Sequence, residues 1–129
     1  CQFGLPEINL GLIPGIGGTQ KLKKFTSNQN IKYLAMTGDI INSETALKYG
    51  IVSLIVPKEN FKTFTNEFLD KISSKPRKSL EIIKKLVNSE ISQKKGIILE
   101  RKEFFNLLDS ENKKIGINSF LSKTKPNWK

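Results

Sequence analysis

The chain has no histidine, and its single cysteine is Cys1. Structural zinc sites are built from cysteine and histidine ligands, so we expect no metal site in these residues. The absence of histidine also excludes a Ser–His–Asp or Cys–His nucleophile made within the chain. One cysteine cannot form an internal disulfide. We therefore expect a reducing compartment, the cytoplasm, or the mitochondrial matrix in a eukaryote.

Long apolar runs and arginine are also scarce. No apolar run approaches the roughly 20 residues of a membrane span, so we expect no membrane partner. Only Arg77 and Arg101 among the 22 basic residues are arginine, although the net charge is +10. Arginine suits bidentate recognition of bases and phosphates better than lysine, and no RNA-binding motif is present. We interpret the lysine excess mainly as solvated surface, which leaves nucleic-acid binding a minor alternative.

Glu7 is the only charged residue among the first twenty. Around it lie two prolines and five of the nine glycines, at positions 4, 11, 15, 17 and 18. A carboxylate in an apolar segment is costly unless it is paired, and enzymes use such carboxylates to transfer protons. Perturbed carboxylates also occur in structural networks. Glu7 is therefore a candidate proton donor, with a residue on an exposed turn as the alternative.

The first 57 residues are patterned as short elements. We predict extended pieces at 2–5 and 8–13, followed by a tight turn at 14–18 and a helix from about Gly18. A second helix is predicted at 29–37, ended by Gly38. A short helix capped by Asn42 or Ser43 and ending at Gly50 follows, and then a strand at 51–56.

Everything after Pro57 is predicted to be helical. Apolar residues recur at helical spacing in four segments: 61–72, 80–91, a helix starting after Gly96, and about 111–122. These stripes are typical of a core or a subunit interface. The chain has little strand to cover so many apolar faces, so we expect further chain or partner copies to cover them. We also expect a chain starting in a strand at Cys1 to be a fragment.

Three sequence blocks together resemble the enoyl-CoA hydratase/isomerase (crotonase) family. They are FGLPEINLGLIPGIGGTQKL, TGDIINSETALKYGIVSLIVP and KKIGINSFLSKTKPNW. They follow one another with the family's spacing, and the resemblance extends over the whole chain. The resemblance implies an α/β, crotonase-like fold, of which this chain would be the mostly helical C-terminal half. Residues 1–57 would belong to the spiral core and residues 58–129 to a helical oligomerisation region, forming a homotrimer or a hexamer.

The resemblance also implies chemistry. Family members add water, in a syn fashion, across the double bond of a 2-enoyl-CoA to give a 3-hydroxyacyl-CoA. The acyl-CoA is the substrate, and no cofactor is needed. Glu7 matches the second of two catalytic glutamates, which delivers a proton to the α-carbon. Pro6 and Gly15 match positions along the acyl pocket and at the reacting centre. Phe120 and Lys123 match positions near the CoA adenine and phosphates.

Two features keep alternatives open. The family's first glutamate lies in a G-G-G-x-E turn that residues 1–129 do not contain, so we expect this chain by itself to be inactive. Basic positions near Lys21 and Lys123 also depart from the family pattern, which bears on the CoA contacts. The alternatives are another crotonase-family activity (enoyl-CoA isomerase or acyl-CoA hydrolase) and a non-catalytic oligomerisation fragment.

Overall fold

A computed structural model describes every residue from Cys1 to Lys129. The chain forms two compact units, Cys1–Phe61 and Lys62–Lys129. The roles expected for residues 1–57 and 58–129, a spiral core and an oligomerisation region, remain predictions.

The first unit is built on a two-stranded sheet. Strand β1 (Gln2–Gly4) pairs antiparallel with β2 (Ile40–Asn42), and Phe3 lies opposite Ile41. The connecting chain contains a 3₁₀ helix at Pro6–Leu10, helix α1 (Gly18–Lys21), a 3₁₀ helix at Leu22–Lys24 and helix α2 (Asn28–Thr37). Helix α3 (Ser43–Lys48) and a 3₁₀ turn at Lys58–Asn60 follow β2.

The core of this unit is small and lies between the sheet and two helices. Leu34, Ile41 and Ala46 are buried together, and partly buried apolar residues pack around them: Phe3, Leu5, Tyr49, Ile51 and Val52. Side-chain caps fix where the two helices begin. Ser27 Oγ accepts a hydrogen bond from Asn30 N–H at 3.2 Å, and Asn42 Oδ1 accepts one from Thr45 N–H at 2.9 Å. Such caps satisfy backbone donors that a helix leaves unpaired.

The structure confirms some predictions for this unit and overturns others. The turn before Gly18, the helix ended by Gly38 and the Asn42 cap are confirmed. The extended piece at 8–13 is wrong, because Pro6 starts a 3₁₀ helix that runs to Leu10. Proline favours a first helical position, where its missing N–H is not needed.

The predicted strand at 51–56 is also wrong. These residues pair with no strand, and β2, which the sequence analysis missed, is the partner of β1. Instead, the N–H groups of Ile51 and Val52 donate to the carbonyl oxygen of Ala46, at 2.9 and 3.4 Å. These bonds bind the start of the run to the end of α3, so its β-branched composition does not produce a ladder.

The second unit consists of four helices, α4 (Phe61–Ser73, which starts at the unit boundary), α5 (Arg77–Val87), α6 (Gln93–Leu108) and α7 (Glu111–Ser122). The four helices predicted after Pro57 are present, and α7 has the predicted bounds, but α5 ends at Val87, so Ile91 of the predicted 80–91 stripe lies outside it. The predicted start of α6 is wrong, because the helix begins at Gln93 and Gly96 lies in its first turn. Helix α5 packs against α6.

The apolar faces of these four helices remain open within the chain. None of their residues is buried, and the exposed large apolar residues include Phe68, Leu69, Ile83, Val87, Ile98, Phe104, Phe105 and Leu121. The stripes that the sequence predicts are therefore present, but this chain alone does not close a core over them. No α-helix has the length and apolar character needed to cross a bilayer.

Candidate active site

Glu7 lies in the first turn of the 3₁₀ helix at Pro6–Leu10. Pro6 is at its first position, and Gly11 ends it in the left-handed conformation, with φ of 70°. The N–H of Gly11 donates to the carbonyl oxygen of Ile8 at 3.0 Å, and that of Leu12 donates to the carbonyl oxygen of Glu7 at 3.1 Å. The backbone that follows Glu7 is therefore held by hydrogen bonds, and the two candidate residues Pro6 and Glu7 share one turn.

The Glu7 carboxylate is partly withdrawn from solvent. Its Oε2 atom is buried and has no hydrogen-bond partner, while the residue as a whole is half-buried. A buried oxygen without a partner costs free energy, because it has lost its water and gained nothing in return. Such an atom is able to accept a hydrogen bond from a ligand or to carry a proton. This is the one chemically unsatisfied side-chain oxygen in the interior of the chain.

Apolar side chains surround this carboxylate in the sequence, and most of them are exposed. Leu10 is 78% exposed, Ile13 79% and Ile16 91%. A contiguous exposed apolar segment of this kind indicates a surface that something else covers. A partner packed on this surface would lower the local dielectric around Glu7 and so strengthen its electrostatic interactions.

The glycine-rich turn that follows places Gly15 and the start of α1. Gly17 caps α1 with φ of 86°, and its carbonyl oxygen accepts from Lys21 N–H at 2.8 Å. Gly18 lies tightly under Leu5, whose Cδ2 atom would be 2.8 Å from any Cβ at that position. The position of Gly15 is different, since no atom lies within 4 Å of the place its Cβ would take. Its predicted role at the reacting centre remains a prediction.

A cavity of about 450 Å³ opens beside this turn. Leu5, Ile16 and Gly17 line it, and Lys21 is its one charged lining residue. Glu7 is not among the lining residues, although Leu5 is two residues away from it. Leu5 and Ile16 were not among the predicted site residues. Their signal was present, because both are apolar residues in the segment around Glu7.

The remaining two candidates, Phe120 and Lys123, lie in the second unit. Phe120 is 83% exposed on the last turn of α7. Lys123 ends that helix with φ of 55° and is the one non-glycine residue with a positive φ. Its N–H donates to the carbonyl oxygen of Phe120 at 3.3 Å. A left-handed residue is a common way to end a helix, so this conformation explains the end of α7 and does not by itself assign a role to Lys123.

The chain resembles known proteins along its whole length. The sequence model of the enoyl-CoA hydratase/isomerase family matches residues 1–129. The chain belongs to this family. A probable mitochondrial enoyl-CoA hydratase from Dictyostelium discoideum is 36% identical over 98% of this chain, which spans 46% of that relative. The chain thus spans about half the length of the curated relatives that it matches.

Solved structures of the family confirm the predicted fold class. An enoyl-CoA hydratase from Bacillus anthracis superposes with a TM-score of 0.91 at 27% identity, covering 100% of this chain and 51% of that one. An enoyl-CoA hydratase subunit from Geobacillus kaustophilus HTA426 gives 0.87 at 34% identity, covering 99% and 51%. The chain therefore has the mostly helical, crotonase-like fold expected from its sequence. Neither comparison tests the individual site residues.

Proposed function

We propose that the whole protein containing this chain is an enoyl-CoA hydratase. In this reaction the hydroxyl group of water adds to the β-carbon of a 2-enoyl-CoA and a proton adds to the α-carbon, giving a 3-hydroxyacyl-CoA. Glu7 is the residue we assign to the proton at the α-carbon. The family's other catalytic glutamate and the groups that hold the thioester oxygen, both implied by the family resemblance, are assigned to residues outside 1–129.

The observation that carries this proposal is the buried, unpartnered Oε2 of Glu7. General acids and bases are most effective when burial and positioning prepare them for one proton transfer. Glu7 has both: its Oε2 atom is buried, and the backbone that follows it is hydrogen-bonded through the carbonyl oxygens of Glu7 and Ile8. The relatives named as enoyl-CoA hydratases support the same chemistry.

Further roles follow for the second unit. Phe120, a highly exposed aromatic, and Lys123, a cation in a fixed left-handed conformation, are proposed to contact the adenine and phosphates of CoA. The exposed apolar faces of α4 to α7 support assembly into a homotrimer or hexamer. We place the protein in fatty-acid or acyl-CoA metabolism of the cytoplasm or mitochondrial matrix, with acyl-CoA as substrate and no separate cofactor.

The test is an assay of the whole protein against three CoA thioesters. With crotonyl-CoA we expect loss of the conjugated enoyl absorbance and a product heavier by one water molecule. With a 3-enoyl-CoA, double-bond migration should be much slower than this hydration. With a saturated acyl-CoA, no free CoA thiol should appear. Isomerisation or thiol release faster than hydration would assign the protein to another activity of the family.

A further inference from the structure

The 3₁₀ helix that carries Glu7 lies against the C-terminal end of α2. These two elements are in contact, and Gly38, which ends α2, is buried. A Cβ atom at Gly38 would lie 2.7 Å from Asn9 Nδ2 and 2.9 Å from Ile8 Cγ2. Real Cβ atoms do not approach other atoms this closely. The two residues directly after Glu7 therefore occupy the space that any side chain at position 38 would need.

The two close contacts differ in how easily they could be relieved. The Asn9 amide is at the end of a side chain and can rotate away. Ile8 Cγ2 is attached directly to Cβ, and a β-branched side chain has few χ1 alternatives. Relieving that contact therefore requires the backbone of the Pro6–Leu10 helix to move, and Glu7 precedes Ile8 in that helix.

The turn around Gly38 is itself held rigidly. Gly38 has φ of 69°, and its N–H donates to the carbonyl oxygen of Leu34 at 3.1 Å. Thr37 Oγ1 donates to the carbonyl oxygen of Tyr33 at 2.7 Å and accepts from Asp39 N–H at 3.1 Å. The Tyr33 hydroxyl donates to Asp39 Oδ2 at 2.6 Å. These bonds resist movement of the turn, so a clash at position 38 would push on the Pro6–Leu10 helix.

The sheet ties the same turn to the other end of that helix. Asp39 leads directly into β2, where Ile40 lies opposite Gly4 of β1. One residue, Leu5, separates β1 from the Pro6–Leu10 helix. The position of Glu7 relative to the sheet is consequently set from both sides, by β1 before it and by the contact with Gly38 after it.

We propose that Gly38 is a positioning residue for Glu7: its lack of a side chain lets the Pro6–Leu10 helix rest against the end of α2 and so sets the place of the Glu7 carboxylate. This inference rests on the proposed function. A displacement of about 1 Å at a reacting group can cost roughly 100-fold in rate. Because proton delivery belongs to the transition state, we expect the loss in kcat with little change in KM.

The test measures kcat and KM of the whole protein with crotonyl-CoA for wild type, Gly38→Ala and Gly38→Asn. Asparagine tolerates the left-handed conformation better than alanine but keeps the clash. We expect both variants to lower kcat by about 10- to 100-fold. The matched control is Gly50→Ala, which also has a positive φ of 77° and a blocked Cβ position, 2.8 Å from the Phe25 carbonyl oxygen. It should lower the melting temperature yet leave kcat within about threefold of wild type.

A double-mutant cycle separates positioning from general destabilisation. In an Ile8→Ala background the obstructing methyl is gone, so adding Gly38→Ala should cost much less in kcat than in wild type. The proposal would be overturned if Gly38→Ala lowered kcat equally in both backgrounds, or if Gly50→Ala lowered kcat as much as Gly38→Ala does. Folded position-38 variants with wild-type kcat would also overturn it. If neither position-38 variant folds, Thr37→Ala decides: a severalfold drop in kcat at constant KM supports the proposal and an unchanged kcat overturns it.

Glu7→Gln, measured in parallel, tells the two proposals apart. If Glu7→Gln keeps its turnover, the proposed function fails. If Glu7→Gln loses turnover while the Gly38 variants keep theirs, the positioning role of Gly38 alone fails.

Discussion

Asn112 and Lys129 exchange two hydrogen bonds. The Asn112 side-chain amide donates to the carbonyl oxygen of Lys129, and its Oδ1 accepts from Lys129 N–H, both at 2.9 Å. Next to this pair, the Trp128 indole N–H donates to the carbonyl oxygen of Ser74 at 2.7 Å. The Trp128 ring lies over Gly116, where a Cβ would be 3.2 Å from the ring. The segment at 123–129 is thereby held to the residue after α4 and to the first half of α7.

Replacing Asn112 by alanine should release this segment. Both bonds to Lys129 are lost, and since each neutral hydrogen bond contributes about 1 kcal/mol net, we expect a loss of roughly 1 to 2 kcal/mol of local stability. Hydrogen exchange of residues 123–129 and α7 in the whole protein measures it. Asn127→Ala is the matched control in the same segment. Faster exchange in Asn127→Ala than in Asn112→Ala would contradict the assignment.

Two serines that precede helices of the second unit provide a second test. Ser110 Oγ accepts from Lys113 N–H at 3.2 Å, so it caps α7. Ser92 precedes α6 in the same backbone conformation but makes no side-chain cap bond. Ser110→Ala should therefore destabilise the unit by about 1 kcal/mol, and Ser92→Ala by much less. Ser110 Oγ also donates to the carbonyl oxygen of Leu107 at 2.7 Å, so Ser110→Ala removes both bonds. Chemical denaturation gives both values, and equal losses would show that the Ser110 side-chain bonds contribute nothing.

The Tyr33–Asp39 contact predicts a pH effect. The hydrogen bond to Asp39, and then the negative charge of Asp39, raise the pKa of the Tyr33 hydroxyl above its ordinary value. The ordinary pKa of tyrosine, about 10, is its value in the unfolded chain. Because the pKa in the folded chain is higher, the contact stabilises the fold fully at pH values below about 10. This stabilisation is lost as the pH rises through the pKa of the folded chain. Both side chains are exposed, so solvent screening keeps the effect small.

Tyrosinate absorbance tests this effect directly. The titration of Tyr33, taken as the difference between wild type and Tyr33→Phe, should shift to lower pH in an Asp39→Asn variant. An unchanged Tyr33 titration in Asp39→Asn would show that the contact does not persist in solution.

Local signals predicted much of this fold, and contacts distant in sequence explain most of what they missed. The bounds of α7 could be predicted because its cap residue and its apolar periodicity are local. Strand β2 has three residues, too few for a pattern, and its existence depends on pairing with β1. The run at 51–56 has strand composition but no partner, and composition cannot show that.

The candidate site likewise has features that local sequence predicts and features that depend on distant contacts. Glu7 was identifiable as a lone charge in an apolar, glycine-rich stretch, and the family match then gave it a chemical role. The unpartnered state of its Oε2 depends on packing and could not be predicted. Gly38 could be predicted as a helix end, but its contact with Ile8 and Asn9 joins segments about thirty positions apart. Only the folded chain shows that this glycine adjoins the turn carrying Glu7.

The central claim, that Glu7 is the proton-transferring carboxylate of an enoyl-CoA hydratase, is tested most directly by turnover of the whole protein with Glu7→Gln. Glutamine keeps the size of the side chain and removes its ability to donate the proton. Circular dichroism should show an unchanged fold, while kcat with crotonyl-CoA should fall by about 100- to 10,000-fold. Glu44→Gln, an exposed carboxylate in the first turn of α3, should retain wild-type turnover. A folded Glu7→Gln protein with near-normal kcat would contradict the account.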